Sequence, residues 1–451
     1  MDTHTQLRQL GLFDARVPRY TSYPTAPQFK TTLGANEVSR WLDLLPQGEP
    51  VSLYVHIPFC RRLCWFCACR TQGTATSSPV RAYLETLKAE LQLLRRHIPQ
   101  GLEIGHLHWG GGTPTLLEPD MITDLAAAIF DVMPLAAGYE FSVEIDPGEI
   151  DDARMDALAA AGMNRASIGV QDFDPEIQKT IGRLQSYEIT AEAVDGLRKR
   201  GIYSLNTDIL YGLPHQTQEK VADSVQKLLS LSPDRVALFG YAHVPWMARR
   251  QNMIPTDALP RPEERLELFN VARDLFLHDN YAEIGIDHFA RHGDGLEIAQ
   301  RNGTLHRNFQ GYTDDRYATL IGVGASSISR FPQGYAQNAP ATSAYQQRVR
   351  AGELSVSRGH AFSGDDLERG RIIEALMCDF QVSHADMAAR FNLSRAEFDS
   401  LANGVDSAFP DMMDITGDTI RIKDKARPLT RMIARHFDAY DMETSGHSIA
   451  T

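Results

Sequence analysis

His106-Leu-His-Trp-Gly-Gly-Gly-Thr-Pro-Thr115 is the stretch on which the fold turns. A short run ending in Trp109 reads as a strand, three glycines and Thr113-Pro114 interrupt it, and Ile122, Leu125, Ile129 and Val132 then recur at helical spacing. The same phrase of strand, turn and amphipathic helix repeats from about residue 50 to residue 290. The strands read this way are Ser52–His56, His106–Trp109, Glu140–Ile145, Arg165–Val170, Ser204–Leu210 and Arg235–Tyr241, with a weaker one at Tyr281–Ile286. Six or seven parallel strands are therefore expected. The helix after the first strand carries Pro79 in its first turn behind Ser78 and presents Leu84, Leu87, Leu91 and Leu94 on one face.

Strands alternating with helices of this length make a parallel sheet, either open and doubly wound or curled into a barrel. Period alone does not choose. The positions of polar residues favour the barrel, because nearly every strand ends in one: the cysteine loop, Gly110–Thr115, Glu144 and Asp146, Gln171, Asp208, and Tyr241 with His243. Turn chemistry explains any one of them. In a βα barrel, however, all these ends open on a single face, where such folds place their chemistry. The expected fold is α/β, a partial (βα)6-type parallel barrel. An N-terminal arm over residues 1–49 precedes the main domain, residues 50–360. A small, mostly helical domain over 361–451 follows it.

The arm contains Arg16-Val-Pro-Arg-Tyr-Thr-Ser-Tyr-Pro-Thr25, more like an ordered extended segment than a helix. After about residue 360, helical segments near Asp365–Phe380, Ser383–Phe391 and Ser394–Ala402 precede a hairpin around Asp414–Lys423 and a last helix from Pro428. That pattern resembles a winged helix, but residues 361–451 hold 10 basic and 16 acidic side chains, a net of −6, which argues for a structural or lid role over DNA binding. Glu443–Thr451 reads as a disordered tail.

The whole chain of 451 residues carries 45 basic and 58 acidic side chains, net −13, which disfavours nucleic acid and anionic membrane. No apolar run reaches the roughly 18 residues of a membrane span, and no signal pattern opens the sequence. A cytoplasmic, thiol-reducing setting is expected. Five cysteines are too few for a disulfide scaffold, and four fall within ten residues: Cys60, Cys64, Cys67 and Cys69. Cys378 stands alone in an apolar helix and reads as core.

Four soft ligands in one short run argue for zinc or iron–sulfur. Structural zinc usually takes two separated pairs, and no second pair exists here. Three thiolates on one loop hold three irons of a cubane and leave the fourth iron open to a ligand. The alternative is that Cys69 closes an inert four-cysteine electron-transfer centre. The single residue between Cys67 and Cys69 turns their side chains apart in an extended loop, so Cys69 is expected beside the cluster without ligating it. Phe66 is placed to lie on a purine ring, or merely to exclude water. Bare backbone at Gly110–Thr113 suits close approach of amino and carboxylate groups, and Glu144 and Asp208 suit ribose hydroxyls.

Cys60-Arg-Arg-Leu-Cys64-Trp-Phe-Cys67 resembles the signature of radical S-adenosylmethionine enzymes, and the Gly-Gly-Gly-Thr-Pro stretch resembles their methionine-binding motif. More closely, the chain resembles the oxygen-independent coproporphyrinogen III oxidase family. The matching phrases are Pro18-Arg-Tyr-Thr-Ser-Tyr-Pro-Thr25, Tyr54-Val-His-Ile-Pro-Phe-Cys60, His108-Trp-Gly-Gly-Gly-Thr-Pro-Thr115, Gly169-Val-Gln-Asp-Phe173, Asp287-His-Phe-Ala-Arg291 and Leu305-His-Arg-Asn-Phe-Gln-Gly-Tyr-Thr313. Related haem chaperones share the three-cysteine loop; Cys69 and the Leu305–Thr313 stretch are not expected in them.

The resemblance implies a [4Fe-4S] cluster on Cys60, Cys64 and Cys67 and two S-adenosyl-L-methionine molecules. The first would lie near Tyr54, Gly111, Glu144 and Ile328, the second near Phe66, Gly112, Thr113, Gln171, Arg183, Asp208 and Ala242. Cys69, Tyr54 and Glu144 would serve the reacting centre. The implied reaction converts two propionates of coproporphyrinogen III to vinyl groups through a 5′-deoxyadenosyl radical, giving protoporphyrinogen IX. Implied too are an electron donor such as flavodoxin or ferredoxin, and a monomer. A substrate with four carboxylates needs a cationic lining, expected from among Arg16, Arg19, Arg291, Arg307, His288 and His306. Surface salt bridges are the competing reading of each. Tyr20 and Tyr23 would close the arm over the mouth or pack as ordinary core. A haem carrier that keeps the cluster and a zinc-stabilised sugar-processing barrel are the alternatives.

Overall fold

The computed structural model describes residues 3–441 and residue 450. Six parallel strands coincide with expected ones, with shifted ends: β1 (Val51–Ile57), β2 (Ile104–Gly111), β3 (Leu135–Ile145), β4 (Arg165–Gln171), β5 (Ser204–Tyr211) and β6 (Arg235–Gly240). The weaker run is β7 (Tyr281–Ile284), and it does not extend the parallel array. It pairs in a hairpin with β8 (His288–Arg291), which itself runs antiparallel to β6. The short Gly285-Ile-Asp287 link is far below the dozen or so residues of a parallel crossover. Gly285 turns at φ +54°, and a Cβ there would lie 2.0 Å from the Tyr312 ring.

The seventh parallel strand is β9 (Leu320–Val323), on the far side of β1. It opens an antiparallel meander of β10 (Ile328–Phe331), β11 (Gly334–Asn338) and β12 (Val356–Ala361). The sheet order is β12-β11-β10-β9-β1-β2-β3-β4-β5-β6-β8-β7, and the two ends are not paired with each other. The parallel strands thus form an open array, not a closed barrel.

Helices α1 (Ser78–Leu94), α2 (Pro119–Val132), α3 (Asp152–Ala160), α4 (Tyr187–Lys199), α5 (Gln218–Ser230) and α6 (Pro262–His278) connect the strands. Along β4 burial alternates residue by residue: Ala166, Ile168 and Val170 are buried, while Arg165, Ser167 and Gln171 are not fully covered. Leu53, Val55, Leu107, Trp109, Phe141 and Val143 join the buried set in one core with the helices. Each such large side chain contributes about 1.5–3 kcal/mol by burial. Parallel sheets covered on both faces read as continuous apolar runs. Period-2 alternation here means that the second face is polar, which suits a lining for ligands.

The expected stripe of α1, Leu84, Leu87, Leu91 and Leu94, is buried. Between these leucines the Glu90 carboxylate accepts hydrogen bonds from Gly324 N (2.7 Å), Asn338 Nδ2 (2.7 Å) and Tyr345 OH (2.7 Å), tying α1 to the β9–β11 region. Polar residues at the opposite ends of the strands from the motifs are held in ion pairs, Arg165 with Glu140 (2.8 Å) and Arg235 with Asp294 (2.7 Å) and Asp314 (3.3 Å).

Near the C-terminus lie α7 (Asp366–Asp379), α8 (His384–Phe391), α9 (Arg395–Ala408) and α10 (Thr430–His436). The hairpin Met413–Ile415 with Thr419–Ile422 gains a third strand, Gln381–Ser383, too short to stand out in the sequence. Leu7, Leu12, Phe13, Val17, Tyr20 and Tyr23 of the arm share a core with these elements. Tyr20 OH donates to Asp438 (2.9 Å), and Tyr23 OH accepts from Ala439 N (3.0 Å). Both tyrosines therefore pack as core residues. Cys378 is fully buried in α7. The expected disorder of Glu443–Thr451 falls outside the described residues except at Ala450, which is buried and donates to Ala15 O (2.8 Å). No helix among the described residues is long and apolar enough to cross a membrane.

Candidate active site

The cysteine loop leaves β1 and is closed at its neck by a parallel bridge of Phe59–Cys60 with Gln72–Gly73. The glycine turn after β2 is laced beneath it: Gly112 N donates to Ile57 O (2.8 Å) and Thr113 N to Phe59 O (2.8 Å). A side chain would break this contact. A Cβ on Gly112 would lie 2.5 Å from Phe59 O, and one on Gly111, at φ +108°, would lie 2.3 Å from the His56 ring. Gly111 N donates instead to Glu144 Oε2 at the end of β3 (2.9 Å).

Behind Glu144 runs a polar chain across neighbouring strands. His108 Nε2 lies 3.4 Å from Glu144 Oε1, Tyr54 stacks on His108 with ring centroids 5.8 Å apart, and Tyr54 OH meets His56 Nδ1 at 2.9 Å. Burial opposes ionisation of Glu144, yet His108 and the Gly111 N–H hold it below the usual carboxylate range. Asp208, within β5, has Asn206 as its one hydrogen-bond donor among the described residues (3.2 Å), and burial with Glu144 nearby pushes it up to about 7. His56 Nε2 is buried without a hydrogen-bond partner among the described residues.

Cys60, Cys64 and Cys67 are half-buried and Cys69 is exposed. Burial pushes the Cys60 thiol up to about 11 and raises Cys64, while the bond from Cys69 brings Cys67 down to about 6. Cys69 N also donates to Cys67 Sγ (3.4 Å). Arg183 Nη1 lies 3.8 Å from Cys64 Sγ, and Arg250 grips the loop through Thr71 (3.1 and 3.2 Å). Three thiols beside two guanidiniums suit an anionic, thiolate-held cluster. Among the described residues no three His, Cys, Asp or Glu side chains converge as a single ion requires; a cubane, with its irons at separate corners, needs its three sulfurs apart.

The remaining expected residues meet at the same end. Arg183 donates to Gly169 O (2.9 Å) and pairs with Asp146 (3.5 Å), and both Arg183 and Gln171 crowd Gly169. Gln251, missed in the sequence, donates to both Phe66 O (2.7 Å) and Ala242 O (3.0 Å) and so ties the loop to the end of β6. The Ile328 carbonyl sits against Gly322, the β9 partner of Tyr54.

The cationic candidates scatter. Arg16 lies over Trp246, Arg291 donates to Pro233 O at the opposite end of β6, His306 pairs with Glu374 (3.0 Å), and His288 with Asp287 (2.6 Å). Arg19 and Arg307 alone of the six line one cavity, together with Arg265 and Arg431, which no motif announced.

Residues 54–228 match the model of the radical SAM superfamily. The oxygen-independent coproporphyrinogen III oxidase of Paracoccus denitrificans is 62% identical over 450 residues, all of both chains; that of Escherichia coli K12 is 38% identical, covering 94% of this chain and 93% of the relative. The solved structure of the E. coli coproporphyrinogen III oxidase HemN, described as a radical SAM enzyme, superposes with a TM-score of 0.89 at 36% identity, covering 95% of this chain and all of that one. With the cysteine loop, glycine turn and Glu144 gathered at one end of such a sheet, the chain belongs to the oxygen-independent coproporphyrinogen III oxidases of the radical SAM superfamily.

Proposed function

We propose that this chain converts coproporphyrinogen III to protoporphyrinogen IX in haem synthesis without oxygen, by oxidative decarboxylation of two propionates to vinyl groups. The observation that carries this reading is the meeting of the three-thiol loop, the glycine turn and Glu144 at one sheet end, in a chain that aligns over its full length with relatives of that name. The family's [4Fe-4S] cluster and S-adenosyl-L-methionine supply, when bound, a carbon-centred radical that removes hydrogen from a propionate β-carbon.

The chain's own residues hold, orient and exclude water. Cys60, Cys64 and Cys67 are the cluster ligands, with Cys69 beside them and its N–H directed at Cys67 Sγ. Glu144, fixed by Gly111 N–H and His108, would accept hydrogen bonds from the ribose hydroxyls of a first S-adenosyl-L-methionine, with Tyr54 and Ile328 bounding that site. A second molecule would lie against Phe66, Gly112, Thr113, Gln171, Arg183, Asp208 and Ala242. Support for it comes from Asp208, a half-buried acceptor with one side-chain donor among the described residues, and from the Gln251 tie between Phe66 and Ala242. The polar inner face positions groups within a shielded site, where a misplaced radical would otherwise take the wrong hydrogen.

The exposed Arg62 and Arg70 on the loop support a one-electron donor of the acidic flavodoxin or ferredoxin type. A cytoplasmic monomer, with a 1–49 arm, a 50–360 catalytic domain and a 361–451 C-terminal domain, completes the proposal. Anaerobic incubation with reductant, S-adenosyl-L-methionine and coproporphyrinogen III tests it. Release of carbon dioxide with 5′-deoxyadenosine is expected; stable haem uptake without turnover would favour a carrier instead.

A further inference from the structure

A cavity of about 540 Å3 lies beside the mouth, walled by the ends of β5 and β6, helix α6, the arm and the C-terminal elements. That volume falls within the range of small-molecule sites. It adjoins the proposed cofactor site at Ala242, the residue tied to Phe66 through Gln251.

Its wall is rich in guanidinium groups. Arg307 lies on the hairpin His306–Asn308 with Gly311–Thr313. Its side chain is 4% exposed, packs over Tyr312 and has Asp287 at 3.6 Å as its carboxylate partner. Its Nε and Nη1 are buried with no hydrogen-bond partner among the described residues. Within the wall the guanidinium charge is met by the Tyr312 ring and by a single carboxylate among the described residues, which leaves it cationic toward the cavity it lines.

Arg19 reaches the same cavity from the arm and donates to Gly240 O (2.8 Å); among the described residues it forms no ion pair. Asp287 is shared, since His288 Nδ1 also holds it at 2.6 Å. One carboxylate therefore faces Arg19, Arg307 and His288. Arg265 donates to Tyr241 O (2.9 Å) and Arg431 to Val17 O (2.6 Å), bringing two further guanidiniums to the wall. The other two carboxylates of the lining, Glu283 and Asp424, are paired with Arg273 and Arg427, so the wall around Asp287 keeps a cationic excess in a chain of net charge −13.

We infer that the cavity is a carboxylate-holding subsite, in which Arg19 and Arg307 grip propionates of the macrocycle that are not undergoing oxidation. Guanidinium forks match carboxylates; Arg307 is buried in the wall, while Arg19 is exposed within the cavity and open to a ligand. Holding a remote propionate fixes which edge of the macrocycle faces the proposed cofactor site. The inference rests on the functional reading above, and it names residues for holding substrate rather than for the reaction itself.

The test titrates the full chain, cluster loaded, with coproporphyrin III, the stable four-carboxylate macrocycle, and separately with S-adenosyl-L-methionine. Arg19→Gln and Arg307→Gln are each expected to weaken coproporphyrin III binding roughly tenfold or more. Iron content and S-adenosyl-L-methionine affinity should stay at wild-type values, and Arg19→Lys should recover part of the loss. Unchanged coproporphyrin III affinity in both variants would overturn the subsite. So would loss of S-adenosyl-L-methionine affinity instead, which would give the cavity to that cofactor's carboxylate. Should Arg307→Gln lose its iron through misfolding, Arg19→Gln decides alone, because Arg19 holds a single backbone carbonyl. A wild-type chain that releases no carbon dioxide from coproporphyrinogen III would overturn the functional reading. Turnover by wild type with unaltered affinity in the variants would overturn the subsite alone.

Discussion

The mouth and the arginine cavity lie side by side, yet they are built in opposite ways. The mouth comes from contiguous phrases: the cysteine loop spans ten residues, the glycine turn six, and each sits directly at a strand end. Arg19, Arg265, Arg307 and Arg431 come from an arm, a helix, a hairpin and the last helix, and only folding brings them together. Reactive groups that must be spaced to within an ångström are placed by local backbone. A pocket for a large anionic ligand is assembled from separate elements, where single substitutions tune affinity without touching the chemistry.

The contrast breaks first at the proposed cluster ligands. Cys64→Ser is expected to abolish turnover and lower iron content while leaving coproporphyrin III affinity unchanged; equal loss of porphyrin binding would mean that the two regions are one. Glu144→Gln removes a carboxylate that accepts the Gly111 N–H and faces His108. Kinetics should show turnover reduced about 10- to 100-fold, the range for hydrogen bonds to a charged group, again with porphyrin binding intact.

Glu90 belongs to neither region and gives a background for both. Burial pushes its carboxyl up to about 7, above the ordinary 4.5, against the pull of Tyr345, Gly324 and Asn338. Across that window the native state keeps a proton that the unfolded chain has released, so stability falls as pH rises from about 4.5 to 7, by up to about 3 kcal/mol. Denaturant unfolding of wild type and Glu90→Gln at several pH values should show a shallower slope in the variant, in which Asp208, also raised to about 7, still contributes. A matching slope in the variant would assign the effect elsewhere.

The smallest expected change is in iron content on Cys69→Ser. The Cys69 backbone N–H to Cys67 Sγ survives the substitution, and the Ser hydroxyl replaces the thiol as the side-chain donor. Iron per chain should therefore stay constant while turnover falls. A lower iron count would make Cys69 a fourth ligand.

The parallel strands were legible because apolar and polar residues alternate along them and turns punctuate them. β9 was not, because Leu320-Ile-Gly-Val323 is four residues long and its pairing with β1 joins segments far apart in the chain. The Tyr281–Ile286 run showed β propensity, but a single sequence could not show that its partner would be the adjacent antiparallel β8. The residues proposed for the cofactors stand in contiguous motifs, which is why they could be named from the sequence. Of six cationic candidates the cavity gathered two, since an arginine's partner is set by tertiary packing: Arg291 meets Pro233 and Tyr281, while Arg307 meets Tyr312 and Asp287. Gln251 and Arg265 carry no local signature at all.

Label transfer tests the central claim most directly. Coproporphyrinogen III deuterated at the propionate β-carbons, turned over anaerobically with reductant and S-adenosyl-L-methionine, should place deuterium in 5′-deoxyadenosine as two carbon dioxide molecules leave each macrocycle. Carbon dioxide release with no deuterium in 5′-deoxyadenosine, or 5′-deoxyadenosine formed with the macrocycle unchanged, would contradict it.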